Sequence, residues 1–323
     1  MKIVVLDDYP DALRQLIGLQ RLEGHDVTIH TDAAPDEAAL VARLAGADVA
    51  LVIQQRVVLS AATLAQLPSL RLISQTGSNL SHLDLDACDS AGITVSARKP
   101  GSSTSTATAE LTWGLIFGAL RDIPRQAQRL RDGLWLDGIG ISVATRTLGV
   151  WGFGTIGAQV AAIGRAFGMR VVCWAREAAL ERARAAGFEA ARDAEDLFDQ
   201  ADILSLHMAM TPETNGLVTP TLLARMKPTA LLVNTARAGL IVPGALRDAL
   251  SAGRPGRAAI DVYDTEPMLG AVDPLIGLPN VLCTPHLGYS VEETYRPMLN
   301  LAIDQILAFA AGKPINVINH PQP

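Results

Sequence analysis

The sequence predicts an α/β protein with parallel sheets, and three observations carry that expectation. Short apolar runs alternate with helix-patterned segments in two successive series along the 323 residues. A glycine-rich turn, GFGTIG at 152–157, joins an apolar run to a helix pattern early in the second series. Hydrophobic residues make up 49% and charged residues 19%, a balance that supplies a buried core. The length suits roughly two domains.

The first series runs KIVVLD, DVTIH, DVALVI, RLISQT and ITVSA as strands, with helical segments between them. Leu13, Leu16, Ile17 and Leu22 recur at helical spacing, so DALRQLIGLQRL reads as one helix. RKPGSSTST then reads as a linker, and the segment after it as one long helix. Its arginines 121, 125, 129 and 131 read as a solvated face. From Thr147 the alternation resumes with strands LGVWG, RVVCW, DILSLH, ALLVNTA, AAIDVY and NVLCTP. The tail VEETYRPMLNLAIDQILAFAAG is amphipathic and helical.

A net charge of -6 without any long basic run argues against a nucleic-acid partner. The three cysteines, Cys88, Cys173 and Cys283, lie far apart and form no C-x-x-C pair. That pattern argues against a disulfide framework or a zinc site, and fits a reducing cytoplasm. The N-terminal apolar run is too short for a signal-peptide core, and no apolar stretch reaches membrane-spanning length.

The glycine turn has the context that a dinucleotide site requires: strand before, helix after. Gly152 allows the tight turn, Gly154 a close backbone approach to a pyrophosphate, and Gly157 close helix–strand packing. Phe153, Thr155 and Ile156 complete the loop, whose helix N-terminus offers N–H groups to phosphates. An acid that binds both ribose hydroxyls is expected at the end of the next strand. Ala175 and Arg176 stand there instead. An arginine at that place can pair with a 2′-phosphate, so the reading leans to NADP(H) over NAD(H). Arg176 stacked on adenine or turned to solvent would leave NAD(H) accepted.

Three further strand ends carry side chains capable of chemistry: Arg237, then Asp261 with Glu266, then His286. Together with a dinucleotide loop they form a cation, an acid and a titratable base.

GVWGFGTIG, LLVNTARAG, DVYDTEP and TPHLGYS, in this order and spacing, resemble the D-isomer-specific 2-hydroxyacid dehydrogenases. These include glyoxylate/hydroxypyruvate reductases and phosphoglycerate dehydrogenases, and the resemblance spans nearly the whole chain. It implies two Rossmann-like or flavodoxin-like domains with a cleft between them. Residues 1–98 plus 292–323 would bind substrate, and 99–291 would bind NAD(P). It also implies a homodimer formed through the second of these.

By position, Arg237, Glu266 and His286 match the family's catalytic three. Arg237 would clamp the carboxylate and ketone of a 2-oxoacid through its planar fork. His286 would give a proton to the ketone oxygen, and take it back in the reverse direction. Glu266 would orient the ring and favour its charged form. The resemblance further implies cofactor contacts from His207, Thr235, Ala236, Asp261 and Thr108. Asp261 reads equally well as a strand-end acid satisfied by backbone N–H groups. Gly77 and Ser78 would offer backbone N–H donors to the substrate carboxylate, whereas His82 reads as a structural, locally satisfied histidine.

The segment HMAMT keeps His207 and Thr211 of the family's HxPxT pattern but has Ala209 for proline, which leaves its adenine side open. The end at Pro323 implies no C-terminal regulatory domain. Reduction of glyoxylate or hydroxypyruvate is the leading expectation. Phosphoglycerate oxidation would need further cations, for which Arg56, Arg98 and Lys99 are available. Formate oxidation conflicts with Glu266, since glutamine typically partners that histidine. A dinucleotide-sensing corepressor-like protein would share the same residues.

Overall fold

The computed structural model describes residues 1–99, 106–270 and 272–321. The chain forms two compact units, Met1–Ser103 with Val291–Pro323, and Thr104–Ser290. The stretch 100–105, within the expected linker, lies outside the described residues.

The first unit has strands β1 (Lys2–Leu6), β2 (Asp26–Ile29), β3 (Val49–Val52), β4 (Leu72–Gln75) and β5 (Thr94–Ser96). They form one parallel sheet in the order β2-β1-β3-β4-β5. This is the doubly wound order whose direction reverses between β1 and β3. Helices α1 (Glu37–Leu44), α2 (Ala61–Leu64) and α3 (Leu85–Ser90) connect these strands. The central strands are apolar on both faces because helices cover both; Ile3 to Leu6 and Val49 to Val52 are fully buried.

The second unit opens on α4 (Ala107–Arg121) and α5 (Ile123–Arg131). Its strands are β6 (Thr147–Trp151), β7 (Arg170–Trp174), β8 (Glu189–Ala190), β9 (Ile203–Leu206), β10 (Leu231–Asn234), β11 (Arg257–Ile260) and β12 (Val281–Cys283). They pair in parallel as β12-β11-β10-β9-β6-β7-β8, the Rossmann order with one added edge strand. Between strands run α6 (Thr155–Ala166), α7 (Glu177–Ala185), α8 (Ala194–Gln200), α9 (Pro220–Arg225) and α10 (Ala245–Ser251). The last helix, α11 (Glu292–Ala310), belongs to the first unit.

Alternation along the strands builds two cores. Val171, Cys173, Ile203, Leu231 and Val233 pack in one with Trp113 and Ile116 of α4. Val172, Leu204, Leu206 and Leu232 pack in the other with Leu197, Leu223 and Leu246. The side-chain period of two sends neighbours to opposite faces.

The structure departs from expectation in three places. DALRQLIGLQRL is not one helix but a π turn, Leu13–Ile17, and a 3-10 turn, Gln20–Leu22. Gly18 at φ +77° breaks them apart, and Asp8 caps the first through the N–H groups of Ala12 and Leu13. The long helix after the linker divides at Asp122, which has φ +54° and stands two residues before Pro124. The two-residue edge strand β8 was too short to leave an alternation in the sequence.

Candidate active site

The three glycines of the 152–157 turn answer three different demands. Gly152 has φ +100°, and a Cβ there would lie 2.6 Å from the His207 carbonyl oxygen. A Cβ on Gly157 would lie 2.0 Å from the Gly152 carbonyl oxygen, so the start of α6 rests directly on the loop. Gly154 is different: its φ is -90°, and a Cβ would meet nothing within 4 Å. The fold itself does not require glycine there. The open face beside it is what a closely approaching pyrophosphate needs. Gly154 is also the N-cap of α6, with no side chain capping the first N–H groups, a ready site for an anion. Phe153 points away and packs on Phe188. Thr155 is exposed and Ile156 half-buried. The loop thus fits a dinucleotide.

Arg176 follows β7 and Ala175 as the N-cap of α7. It is exposed, and its guanidinium has no hydrogen bond or ion pair among the described residues. Glu177 is engaged by Arg184 at 2.6 Å. On the other side of the loop, His207 shares a hydrogen bond of 2.8 Å with Ser205 Oγ, and burial pushes its pKa down to about 4, so the ring is neutral. Where proline was expected, Ala209 is held by threonine instead. Its carbonyl accepts from Thr214 Oγ1 at 2.7 Å, which also accepts the Thr211 N–H.

Arg237 sits just past β10. Buried Asn234 fixes its turn: Asn234 Oδ1 accepts the Ala236 N–H, and its Nδ2 donates to the Arg237 carbonyl. The exposed Arg237 guanidinium donates only to the Ala236 carbonyl, with no carboxylate partner among the described residues. Four of its five donors therefore remain for a ligand.

His286 Nδ1 and Glu266 Oε2 are 2.5 Å apart. An ionised carboxylate only accepts, so Nδ1 carries the hydrogen and Nε2 is left for chemistry. The second Glu266 oxygen accepts the Tyr263 N–H at 2.9 Å. Burial pushes the Glu266 carboxyl up, but the hydrogen bond and charge of His286, the Tyr263 N–H and the charge of Arg237 outweigh it. The carboxyl is held below its usual range. His286 adopts φ +52°, a left-handed conformation uncommon for a non-glycine residue. Buried Asp261 braces this loop, accepting from Thr284 Oγ1 and from the N–H groups of Leu287 and Gly288 at 2.6–2.9 Å.

Thr108 Oγ1 donates to the Gly288 carbonyl, and Thr235 Oγ1 meets Thr112 Oγ1 at 2.9 Å. Sequence reasoning passed over Asn234, Thr112 and the Tyr263 N–H. Asn234, a lone amide at a strand end before the turn, was the one legible signal.

In the first unit, the N–H groups of Gly77 and Ser78 have no acceptor among the described residues. The loop is shaped by Gln54, at φ +53°, whose Oε1 would lie 2.8 Å from a Cβ on Gly77. His82 is buried, but it is not locally satisfied: neither ring nitrogen has a partner among the described residues. Burial alone pushes it down to about 4, so it too is neutral. Arg56 is engaged at both ends of its fork, by the Asp7 carbonyl and the Tyr295 hydroxyl, each at 2.6 Å, and lies over the Tyr9 ring.

A glycine loop fitted to a pyrophosphate, and a carboxylate-oriented histidine beside a guanidinium without a carboxylate partner among the described residues, define a nicotinamide-dependent oxidoreductase. The family description "D-isomer specific 2-hydroxyacid dehydrogenase, NAD binding domain" matches residues 113–288. The chain is 38% identical over 266 residues to the glyoxylate reductase of Aeropyrum pernix, covering 79% of this chain and 78% of that one. It is 34% identical to the D-3-phosphoglycerate dehydrogenase of Methanocaldococcus jannaschii over 99% of its own length, and spans 60% of that enzyme. A crystal structure of phosphoglycerate oxidoreductase from Vibrio cholerae superposes with a TM-score of 0.91 at 41% identity, covering 97% of this chain and 99% of that one. The chain belongs to the D-isomer-specific 2-hydroxyacid dehydrogenase family, and is an oxidoreductase of 2-oxoacids and 2-hydroxyacids that uses a nicotinamide cofactor.

Proposed function

We propose that the protein reduces a small, unphosphorylated 2-oxoacid of the glyoxylate or hydroxypyruvate kind. The observation that carries this reading is the Glu266–His286 pair, with an Arg237 fork that no carboxylate among the described residues occupies. When bound, the reduced cofactor supplies the hydride for C2. Arg237 holds the substrate carboxylate and draws negative charge toward the ketone oxygen. His286 delivers the Nε2 proton to that oxygen, and Glu266 keeps the ring oriented. In the first unit, the N–H groups of Gly77 and Ser78, which have no acceptor among the described residues, are donors open to an anion. On this reading residues 1–98 with 292–323 serve the substrate, and 99–291 serve the cofactor.

Phosphoglycerate is the second reading, favoured by the names of two of the relatives. Against it stands Arg56, a candidate phosphate cation whose fork is already engaged. Following absorbance at 340 nm with glyoxylate, hydroxypyruvate and phosphohydroxypyruvate separates the readings. Oxoacid reduction without a phosphate requirement is expected. Strong preference for the phosphorylated substrate would overturn the first reading, and inactivity with all of them would leave a dinucleotide-sensing role.

The cofactor reading is NADP(H) over NAD(H). It is supported by Ala175, which presents no repelling acid, and by Arg176 beside it, which has no partner among the described residues. An exposed charge-assisted contact of this kind contributes about 1–3 kcal/mol. Arg176→Ala should therefore lower kcat/KM for NADPH roughly 10-fold or more and change that for NADH little. A parent that prefers NADH, or a variant with an unchanged ratio, means that Arg176 does not read the 2′-phosphate.

We further propose a cytoplasmic homodimer. Among the described residues no helix is long and apolar enough to cross a membrane. Leu130 in the last turn of α5, and Leu134, Trp135, Leu136 and Ile139 after it, follow one another along the surface, with Trp135 80% and Ile139 96% exposed. Such a run marks an association face, and a second copy of the chain is the occupant that the family resemblance implies. Light scattering on eluting protein should give twice the chain mass, falling to one with Trp135→Glu and Leu136→Glu combined. A monomeric parent, or a charged variant that stays dimeric, counts against this face.

A further inference from the structure

One helix is tied to both loops that carry the reactive side chains. Thr108 on α4 donates its hydroxyl to the carbonyl of Gly288, at 2.7 Å and two residues past His286. One turn later, fully buried Thr112 donates its hydroxyl back to the Thr108 carbonyl at 2.7 Å, and lies 2.9 Å from Thr235 Oγ1. A hydroxyl has a single hydrogen. That of Thr112 is committed to Thr108, so Thr235 must be the donor in the third contact. Direction is thereby fixed along the chain of bonds: Thr235 to Thr112, Thr112 to the Thr108 carbonyl, and Thr108 to Gly288.

The ends of this chain matter. Thr235 lies between Asn234 and Ala236 in the turn that presents Arg237. Gly288 lies in the loop that Asp261 braces, the loop that presents His286. The hydroxyl of Thr112 does nothing for the helix itself, since bonding back to the fourth preceding carbonyl slightly destabilises and bends helices. A valine would fill nearly the same volume at this fully buried position. What valine would lack is an acceptor for buried Thr235, whose hydroxyl would then have to turn away.

We propose that Thr112 is a positioning residue, which sets the Arg237 turn against the His286 loop by holding both to one rigid helix. The inference rests on the reading of Arg237 and His286 as the catalytic pair. Clamp and proton donor must meet one substrate at once, and a displacement of about 1 Å between them costs on the order of 100-fold in rate.

The test compares Thr112→Val, Thr112→Ser, Thr235→Val and the double variant Thr112→Val/Thr235→Val. Each is measured by oxoacid turnover, by cofactor Kd from fluorescence, and by thermal midpoint. Thr112→Val is expected to lower kcat roughly 10-fold or more, by misplacement. Cofactor Kd should stay within about twofold. Thr112→Ser should recover most of the rate, and in the Thr235→Val background Thr112→Val should add no further loss, because the two act through one bond. Three results would overturn the tether: parental kcat in Thr112→Val, Thr112→Ser as slow as valine, or losses that multiply in the double variant. Arg237→Ala serves as the control. If it keeps turnover, the catalytic reading fails and the tether with it; if it is inactive while Thr112→Val is unimpaired, only the tether fails.

Discussion

Arg237→Ala is expected to lose 2-oxoacid reduction almost entirely, with a fall in kcat/KM of at least about 100- to 1000-fold, or about 3–4 kcal/mol of transition-state stabilisation. The magnitude follows from what the guanidinium has to do. Its charge reaches Glu266, the partner of His286, and it lacks a carboxylate partner of its own among the described residues. The ground-state carboxylate and the growing charge on the ketone oxygen both depend on it. Loss of the first raises KM, and loss of the second lowers kcat, so both should move. Arg237→Lys restores a charge but not the planar fork, and should recover only part of the rate. The turn itself should survive either change, because Asn234 bonds to backbone atoms and not to the guanidinium. An alanine variant with near-parental turnover would remove Arg237 from the mechanism.

Much of this architecture was legible because the two periodicities of the chain are strong. Buried parallel strands such as KIVVL and LLVN are apolar on both faces, and that continuous pattern is hard to mistake. The glycine turn was legible for a different reason. Two of its glycines are demanded by backbone geometry, at Gly152 and Gly157, and the third by open space at Gly154. What could not be read depends on contacts between residues distant in sequence. The tie between Thr112 and Thr235 spans 123 positions, and nothing near either threonine announces it. The engagement of Arg56 by Tyr295 spans 239, so Arg56 stood in the sequence as a spare cation. Local errors had local causes: Gly18 and Asp122 adopt positive φ in segments whose apolar spacing still looked helical.

Removal of the proton donor should be nearly as severe, and removal of its partner should slow the same step. His286→Asn keeps a polar side chain but has no titratable nitrogen, and the rate should fall on the order of 100- to 10 000-fold. Glu266→Gln is the more informative change. The carboxyl of Glu266 is buried enough for burial to push it up, yet the hydrogen bond and charge of His286, the Tyr263 N–H and the charge of Arg237 hold it below its usual range. It is therefore ionised at neutral pH, and its charge attracts the imidazolium across 2.5 Å. Glutamine preserves shape and one hydrogen bond but removes that attraction. Reduction of the oxoacid needs the protonated ring. Reduction should accordingly slow in Glu266→Gln, with the oxidation direction gaining at the same pH relative to reduction. A carboxyl held below its usual range keeps its charge until the pH falls through that lowered value, so the pair should stay intact across the mildly acidic range. The profile of kcat/KM for one good oxoacid, taken with parent and variant at fixed ionic strength, decides the matter. A variant as fast as the parent across that range would mean that Glu266 does not act through His286.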